Sequence, residues 1–385
     1  MSQSQKSPLW RDRTAIAIAS QIFVLILVLG LFIYFGFNLS RNLSRLGLNF
    51  GFDFLSRPAS FDLADPPFSF EPTDPYYKAI LVGLINSLKI TFLGIFIATC
   101  LGILIGISRL STNWLVSKIA SVYIEIFRNT PLLLQLFFWY FAVFLKLPKV
   151  ETPLAIAGKI FLTNRGIYLP GFEYSWRTGI FLGLFLLVLT SLFFYYRSGT
   201  NNNNLSIVRS NSVRLLVPLF SILICLVIWL WGIEWDLPHL ENQAIQGGIN
   251  FSPEFATLLF GLSLYTASFI AEVVRAGVQS IGAGQWEAAK SLGLKSNEIM
   301  QLIIFPQALR VMIPPLTSEF LNLAKNSSLA IAIGYSDIYA IANTISNQTG
   351  KAIEMLIVII GIYLTINLII SLVMNRINHS AQFER

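Results

Sequence analysis

The chain has 385 residues, of which 55% are hydrophobic and only 12% are charged. Soluble domains carry about 25% charged residues, so this sequence has too few charges to cover the surface of a soluble fold of its length. Its net charge of +7 does not indicate nucleic-acid binding, because the basic residues are scattered along the chain. We therefore expect an all-α polytopic membrane protein.

Eight apolar segments are predicted to cross the membrane, and the second is long enough for a bilayer of about 30 Å at a rise of about 1.5 Å per helical residue. They are predicted at 14–37, 84–108, 131–147, 180–196, 213–233, 254–278, 313–340 and 354–374. The first is longer than the apolar core of a signal peptide, which is about 7–15 residues, and it favours an uncleaved helix. The seventh is the least regular, because Glu319, Lys325 and Asp337 interrupt it.

The segments between these spans predict their orientation. With eight spans both termini lie on one side, and the segments on that side, which include 1–13 and 275–310, hold 15 Lys and Arg residues against 10 on the other. Since cytoplasmic loops carry an excess of Lys and Arg, both termini and 275–310 are expected in the cytoplasm. On the opposite side, 38–78, 148–176 and 234–253 are predicted to be polar, irregular loops.

The most informative stretch is 285–306, which is half polar and lies between two long apolar segments. It predicts a short helix around Glu287, a turn at Gly293 and a second short helix that ends at Pro306. Seven residues in it follow a spaced pattern, namely Glu287, Ala288, Ala289, Gly293, Ile303, Phe305 and Pro306. Two short helices at a membrane face form a projection that another protein can contact.

This pattern resembles the cytoplasmic EAA coupling motif of ABC importer permeases, the membrane subunits that dock onto ATP-hydrolysing subunits. Members of that family usually have Leu at the position of Phe305. The resemblance implies that the ATPase subunits are contacted through Glu287, Ala288, Ala289, Gly293, Ile303 and Pro306. The two alanines would permit close approach of the partner, Gly293 would permit the bend, and Glu287 would place a charge at a helix start. The alternative is an amphipathic interfacial helix that packs on its own membrane face.

A second resemblance narrows the family. The segments Asn86-Ser87-Leu88, 102–109 and 125–135 are similar to the amino-terminal half of polar amino-acid permeases, and 271–277 and 322–329 are similar to their later half. The similarity covers about 80–147 and 250–376, and it leaves the spans near 180–233 as an insertion. Insertions of this kind resemble the larger general L-amino acid permeases, which pair with a second permease.

The two resemblances imply a type I ABC importer permease core and a division of the chain into four regions. The expected regions are 1–78 (amino-terminal tail, first span and periplasmic loop), 79–147 (first part of the core), 148–249 (inserted loops and two extra spans) and 250–385 (second part of the core, with the coupling helices at 285–306). The chain would be a multi-pass subunit of the inner membrane, with both termini in the cytoplasm.

The family also implies the partners. They are two ATPase subunits, a second permease that is similar or identical, a periplasmic amino-acid-binding protein and an amino-acid substrate. ATP would bind to the partner subunits, since Gly158-Lys159 and Gly350-Lys351 lack the flanking residues of a phosphate-binding loop. We therefore expect no cofactor in this chain and no enzyme activity of its own. His239 and His379 have no ligand spacing, so no metal site is predicted.

Polar residues in the seventh span are the candidates for a substrate pathway. Glu319, Asn322 and Asn326 share one helical face, followed by Ser327, and charged or amide groups in lipid are costly unless they face a cavity or a partner. Such a stripe is suited to a zwitterion, or it holds two permease halves together. Glu272 is a further candidate, but it can also pair with Arg275 three residues later for purely structural reasons.

Arg128-Asn129-Thr130-Pro131 is a plausible helix start, because Asn129 or Thr130 can cap and Pro131 suits a first turn. The sequence leaves open whether Arg128 has a substrate role. Two other functions also remain at this stage: a secondary transporter that uses Glu319 as an ion-coupling carboxylate, and a membrane scaffold that transports nothing.

Overall fold

The computed structural model describes residues 13–45, 50–172, 235–241 and 243–382, and these are mostly helical. The α-helices among them are α1 (Arg13–Arg45), α2 (Tyr76–Arg109), α3 (Trp114–Asn129), α4 (Leu132–Phe137), α5 (Pro253–Gln279), α6 (Ala283–Ser291), α7 (Ser296–Ile299), α8 (Phe305–Asn326), α9 (Ile338–Thr349) and α10 (Ala352–Gln382). Short π and 3₁₀ segments extend three of them. A π segment (Phe138–Val143) and a 3₁₀ turn (Phe144–Lys146) continue α4, a π segment (Met300–Ile304) joins α7 to α8, and a 3₁₀ segment (Ser327–Ile333) continues α8.

Five helical stretches in the described residues are long and apolar enough to cross a membrane: Ile16–Asn42, Tyr76–Arg109, Pro253–Gln279, Ser296–Ile333 and Ala352–Ala381. They correspond to the first, second, sixth, seventh and eighth predicted spans. The third is a shorter apolar helix, Leu132–Lys146. The fourth and fifth predicted spans, 180–196 and 213–233, lie outside the described residues. The predicted class of a mainly helical polytopic membrane protein is confirmed.

The segment 109–128 was expected to be a connection, and this prediction is wrong for most of its length. The helix α3 begins after Asn113, whose side chain accepts hydrogen bonds from the backbone N–H groups of Leu115 and Val116 at 3.0 and 3.3 Å. It stops at Asn129, because Thr130 is extended before Pro131. A broken pair of helices, α3 and α4, therefore takes the place of the predicted connection and the beginning of the third predicted span.

The seventh span also differs from the prediction. One helical stretch runs from Ser296 to Ile333 through α7 and α8, and Pro306 lies in the first turn of α8, where its missing N–H removes no intrahelical bond. The second short helix predicted to end at Pro306 is thus the beginning of a long helix. The stretch ends at Gly334, which has a φ of +79°, and α9 follows as a separate helix.

The loops predicted at 148–176 and 234–253 contain β-strands. In the described residues these are β1 (Leu154–Ile156), β2 (Ile160–Thr163), β3 (Gly166–Leu169), β4 (Gly171–Phe172), β5 (Trp235–Asp236), β6 (His239–Glu241), β7 (Ala244–Gln246) and β8 (Ile249–Phe251). They form a four-stranded antiparallel sheet in the order β1-β2-β3-β8 and two two-stranded sheets, β4-β5 and β6-β7. The strand β8 pairs with β3 in the register Ile167↔Phe251.

The four-stranded sheet is joined directly to α5. Ser252 alone separates β8 from α5, and its hydroxyl accepts a hydrogen bond from the backbone N–H of Phe255 at 3.1 Å. With Pro253 in the first turn, this is a well-capped helix start. We call this end of the helix bundle the sheet end, and the opposite end, where α5 is followed by α6, the α6 end.

The closest helix packing in the described residues is between α2 and α5. The two helices run in the same direction, since Lys89 lies over the ring of Phe255 and Arg109 pairs with Glu272. Glycines permit the close approach. A Cβ atom at Gly106 would lie 2.8 Å from the carbonyl oxygen of Ala271, and the same stripe includes Gly102. Small residues at such spacing let membrane helices approach closely and gain van der Waals contacts.

Replacing Gly102 by valine tests this packing. A Cβ there would lie 2.5 Å from Ile270 Cγ2, so Gly102→Val should destabilise the purified protein by about 1–3 kcal/mol. Gly361→Val on α10 is the matched control, because no atom lies within 4 Å of its Cβ position. Thermal unfolding in detergent measures both. Equal midpoints for the two variants would contradict the proposed role of the glycine stripe.

Candidate functional site

The helix α6 lies between α5 and α7 at the α6 end and closes with a well-formed turn. The backbone N–H of Gly293 donates to the carbonyl of Lys290 at 2.9 Å, and that of Leu294 donates to the carbonyl of Ala289 at 3.4 Å. Gly293 has a φ of +77°, which an L side chain rarely adopts. These two bonds are the Schellman pattern, so Gly293 is required by the backbone itself.

One face of α6 packs on its own chain and the other is exposed. Ala289 is 1% exposed and belongs to the core cluster that includes Ile299 and Ile304. The prediction that Ala289 permits close approach of a partner is therefore wrong, since its methyl group anchors α6 to the chain. Glu287 and Ala288 are exposed. Glu287 is the fifth residue of α6 and not at a helix start.

The remaining residues of the spaced pattern lie where the chain leaves α6. Gly293 and Pro306 are exposed, and Ile303 is half-buried in the π segment that joins α7 to α8. Leu292, next to the turn, is 78% exposed and adds a large apolar side chain to this surface. The exposed members of the pattern that lie on α6 or in the turn after it form, with Leu292, what we call the α6 surface: Glu287, Ala288, Leu292 and Gly293. Phe305 and Pro306 are also exposed, at the start of α8.

A hollow of about 460 Å³ lies on another side of α6. The end of α2 contributes Leu110 to its lining, and α6 contributes Ala283 and Trp286. The helix is therefore not enclosed by the described part of the chain. It is supported through the face that carries Ala289 and is accessible elsewhere.

Near the α6 end, Glu272 joins α2 to α5. Its carboxylate accepts hydrogen bonds from the guanidinium of Arg109 on α2 and, at 3.0 Å, from Nε of Arg275 on its own helix. The side chain of Glu272 is 17% exposed. Both carboxylate oxygens have an arginine partner, so the arrangement matches the structural alternative for Glu272 and not a place on a substrate pathway.

The polar stripe predicted on the seventh span lies on α8 and in the 3₁₀ segment after it. Glu319 and Asn326 are half-buried, and Asn322 is exposed. Ser327 is 1% exposed and its hydroxyl donates to the carbonyl of Ala324 at 2.8 Å. The structure therefore keeps Glu319 and Asn322 on one face of α8 and excludes Ser327 from any accessible surface.

Arg128 packs on α5, which the sequence did not reveal. Its guanidinium is 5.1 Å from the ring centroid of Phe269, and the ring of Tyr265 is 4.9 Å from that of Phe269. Arg128 is also within range of an electrostatic interaction with Glu319 on α8.

Two signals in the sequence point to this cluster in retrospect. Tyr265 and Phe269 are four residues apart and therefore share one face of α5. Asn113 followed by Trp114 has the pattern of a capped helix start. That pattern predicts a helix with Arg128 near its end, whereas the segment was predicted to be a cytoplasmic connection. The electrostatic link between α3 and α8 has no signal in a single sequence.

The comparisons with known proteins decide the family. Residues 204–382 match the family described as binding-protein-dependent transport system inner membrane component. The chain is 42% identical to the putative amino-acid ABC transporter permease protein YhdX of Escherichia coli (strain K12), over 93% of this chain and 92% of that protein. The chain belongs to the amino-acid ABC transporter permeases.

Two further relatives agree with this assignment. The general L-amino acid transport system permease protein AapQ of Rhizobium johnstonii is 38% identical over 96% of this chain and 94% of its own. The glutamate/glutamine/aspartate/asparagine transport system permease protein BztB of Rhodobacter capsulatus is also 38% identical, with the same two coverages. Both matches extend over nearly the whole length of each protein.

The family gives this permease its general setting. It is a multi-pass subunit of the inner membrane in an ABC importer, and the ATPase of the importer lies on partner subunits. A substrate-binding protein also belongs to such a system. Family membership decides against the ion-coupled transporter and the scaffold considered from the sequence.

Cysteine labelling tests the two faces of α6. In a variant of the permease without its own two cysteines, Cys100 and Cys225, Ala288→Cys should react with a bulky maleimide in the folded, purified subunit. Ala289→Cys should react only after unfolding, because that position is 1% exposed. Rapid labelling at both positions would show that the helix does not pack through Ala289.

Proposed function

We propose that this permease moves L-amino acids into the cytoplasm, driven by two ATPase subunits that bind the α6 surface. The observation that carries the proposal is the position of α6. It is a short, half-exposed helix at one end of the bundle, anchored through Ala289 and joined to two membrane-spanning helices. ATP binds to the partner subunits, and this chain contributes no nucleotide site.

The connections of α6 suit the transmission of movement. It follows α5 after only three residues, and it precedes α8 through the turn at Gly293, α7 and a π segment. A partner that displaces α6 therefore displaces the ends of two spans together. The α5 end is also tied to α2 by Glu272, so that three helices are linked at the α6 end.

The orientation follows from this role and from the charges. Met374, near the end of α10, belongs to the same core cluster as Ala289, so the carboxyl-terminal helix ends at the α6 end. Basic residues at that end, among them Arg275, Lys290, Lys295 and Arg376, support a cytoplasmic α6 end. Both termini are then cytoplasmic, and the four-stranded sheet faces the periplasmic binding protein.

A second permease, similar or identical, completes the pathway. In the described residues, the apolar span of α1 is entirely unburied and the polar side chain of Asn322 is exposed on α8. Exposing a polar side chain of a membrane-spanning helix to lipid costs free energy, which supports a water-filled space between two such subunits. We place Glu319, Asn322 and Asn326 along that space.

The substrate class is inferred from the relatives. AapQ is named for general L-amino acid transport and BztB for glutamate, glutamine, aspartate and asparagine. A pathway with a carboxylate and amide groups provides hydrogen-bonding partners for the ammonium and carboxylate groups that all such substrates share.

Reversing the charge of Glu287 tests the coupling. Glu287→Lys should lower both amino-acid uptake and copurification of the ATPase subunits by about tenfold or more. The lysine places a positive charge against an ATPase surface that we propose to be complementary to the carboxylate of Glu287. Membrane insertion should not change, since Glu287 is exposed. Uptake in cells and pull-down of the tagged permease measure the two effects.

Glu151→Lys is the matched control, as it makes the same charge change at an exposed position near the sheet. It should leave ATPase copurification at the level of the unmodified permease. If Glu287→Lys retains full uptake and full ATPase association, the α6 surface is not the coupling site.

A further inference from the structure

The four-stranded sheet has one face that carries only apolar side chains. Residues that are directly opposed in antiparallel strands share a face of the sheet. The pairing register therefore gives one row across the four strands: Leu154, Leu162, Ile167 and Phe251. The other positions of this face are also isoleucine or leucine: Ile156, Ile160, Leu169 and Ile249. We call these side chains the apolar sheet face. The opposite face is mixed, since Thr163, Tyr168 and Asn250 lie on it together with Ala155 and Phe161.

The apolar sheet face is largely uncovered by the described part of the chain. None of its side chains is buried, and at the β1 edge Leu154 and Ile156 are 51% and 47% exposed. An antiparallel sheet with one face in water normally places its polar residues on that face. Contiguous exposed apolar patches mark a contact with another protein, a ligand or a membrane. This face therefore requires an apolar surface to lie against.

The position of the sheet turns this face toward the membrane. The ring of Phe251, at the β8 edge of the face, packs on that of Phe255 in the first turn of α5, with centroids 4.8 Å apart. Ser252 alone separates β8 from this membrane-spanning helix. The face thus rests on the helix bundle at its β8 edge. Its most exposed members lie on β1, at the other edge of the sheet, so the face extends past the bundle to where lipid surrounds the spans.

The free edge of β1 limits how deeply the sheet can lie. Among the described strands β1 pairs only with β2, so its outer edge carries N–H and C=O groups that have no strand partner. Open sheet edges do not occur in the hydrocarbon region, because those groups would have no hydrogen-bonding partner there. At the headgroup level, water satisfies the edge while apolar side chains reach the acyl boundary. The sheet is therefore suited to the membrane surface.

The surroundings of the sheet have the composition of a membrane interface. Trp235 and Phe172 in the β4-β5 sheet are exposed, with ring centroids 5.0 Å apart, and tryptophan is enriched at the headgroup level. The segment 146–169, which holds β1 to β3, contains one acidic residue, Glu151. It contains four exposed cations: Lys146, Lys149, Lys159 and Arg165. Such cations are attracted to the phosphate groups of anionic lipids.

We propose that the apolar sheet face lies on the surface of the lipid bilayer at the sheet end. Its leucine and isoleucine side chains insert among the lipid headgroups and the first methylene groups of the acyl chains, and the cations of 146–169 lie near lipid phosphates. The mixed face then points away from the membrane. The lipid contact continues the packing of Phe251 on Phe255 beyond the bundle and holds the sheet at one height. This inference goes beyond the proposed function and does not depend on it.

Spin-label accessibility on β1 tests the proposal. The complex of the permease with its partner permease and ATPases, without accessible cysteines, is placed in nanodiscs of phosphatidylethanolamine and phosphatidylglycerol. Single cysteines in the variants Leu154→Cys, Ile156→Cys and Ala155→Cys carry a nitroxide. Its collisions with oxygen, which concentrates in lipid, are compared with those of a water-soluble nickel chelate. The ratio of oxygen to nickel collisions should be several times higher at positions 154 and 156 than at position 155.

Ala155 is the matched control, because it is exposed on the same strand and lies on the opposite face. Leu154→Cys and Ile156→Cys give two separate readings of the apolar sheet face.

Three results would overturn the inference. Equal ratios at all three positions, with ready access for nickel, would show that both faces of the sheet are in water. A higher ratio at position 155 would show that the mixed face lies on the lipid. Labels at positions 154 and 156 that are shielded from both reagents would show that protein covers the apolar sheet face, whether residues 173–234 of this chain or a second permease.

Discussion

The close packing of α2 on α5 is the constraint on which the rest of this permease depends. Apolar side chains give no hydrophobic advantage to helix association in lipid, so the two helices are held by van der Waals contact, which Gly102 and Gly106 make possible. The ion pairs of Glu272 with Arg109 and Arg275 then hold α2 and α5 together at the α6 end. Because β8 passes into α5 through Ser252 alone, the four-stranded sheet and α6 are carried at opposite ends of this one packed unit.

The second constraint is that polar groups in the membrane must have partners. Three places satisfy it in different ways. Gln135 closes the break between α3 and α4, Glu272 is held by two arginines, and Asp337, which is 1% exposed, caps α9 through the backbone N–H of Ala340 at 2.8 Å. Glu319 differs from these, because it is half-buried and takes no part in the ion pairs formed within 4.0 Å among the described residues. That difference supports a place for Glu319 along the substrate pathway.

Much of this architecture is predictable from the sequence, and the failures have physical reasons. Length and composition identify the long apolar spans, and Gly293 predicts the turn because a positive φ favours glycine. The sequence cannot reveal that α7 and α8 are continuous, because a proline is compatible with both a helix end and a first helical turn. Pro306 was predicted to end a helix, and it lies in the first turn of α8. Burial of Ala289 and the packing of Arg128 on Phe269 depend on how α6 and α3 pack, and no periodicity within one helix contains that information.

One short connection joins the α6 surface to the polar residues of α8, and it indicates how ATP and substrate are linked. The helical stretch from Ser296 to Ile333 begins after the turn at Gly293 and carries Glu319 in its second half. The π segment Met300–Ile304 lies between the two, and π segments are frequent at functional sites. Movement of α6 by the ATPases therefore acts on the helix that carries Glu319 and Asn322, which we place along the substrate pathway.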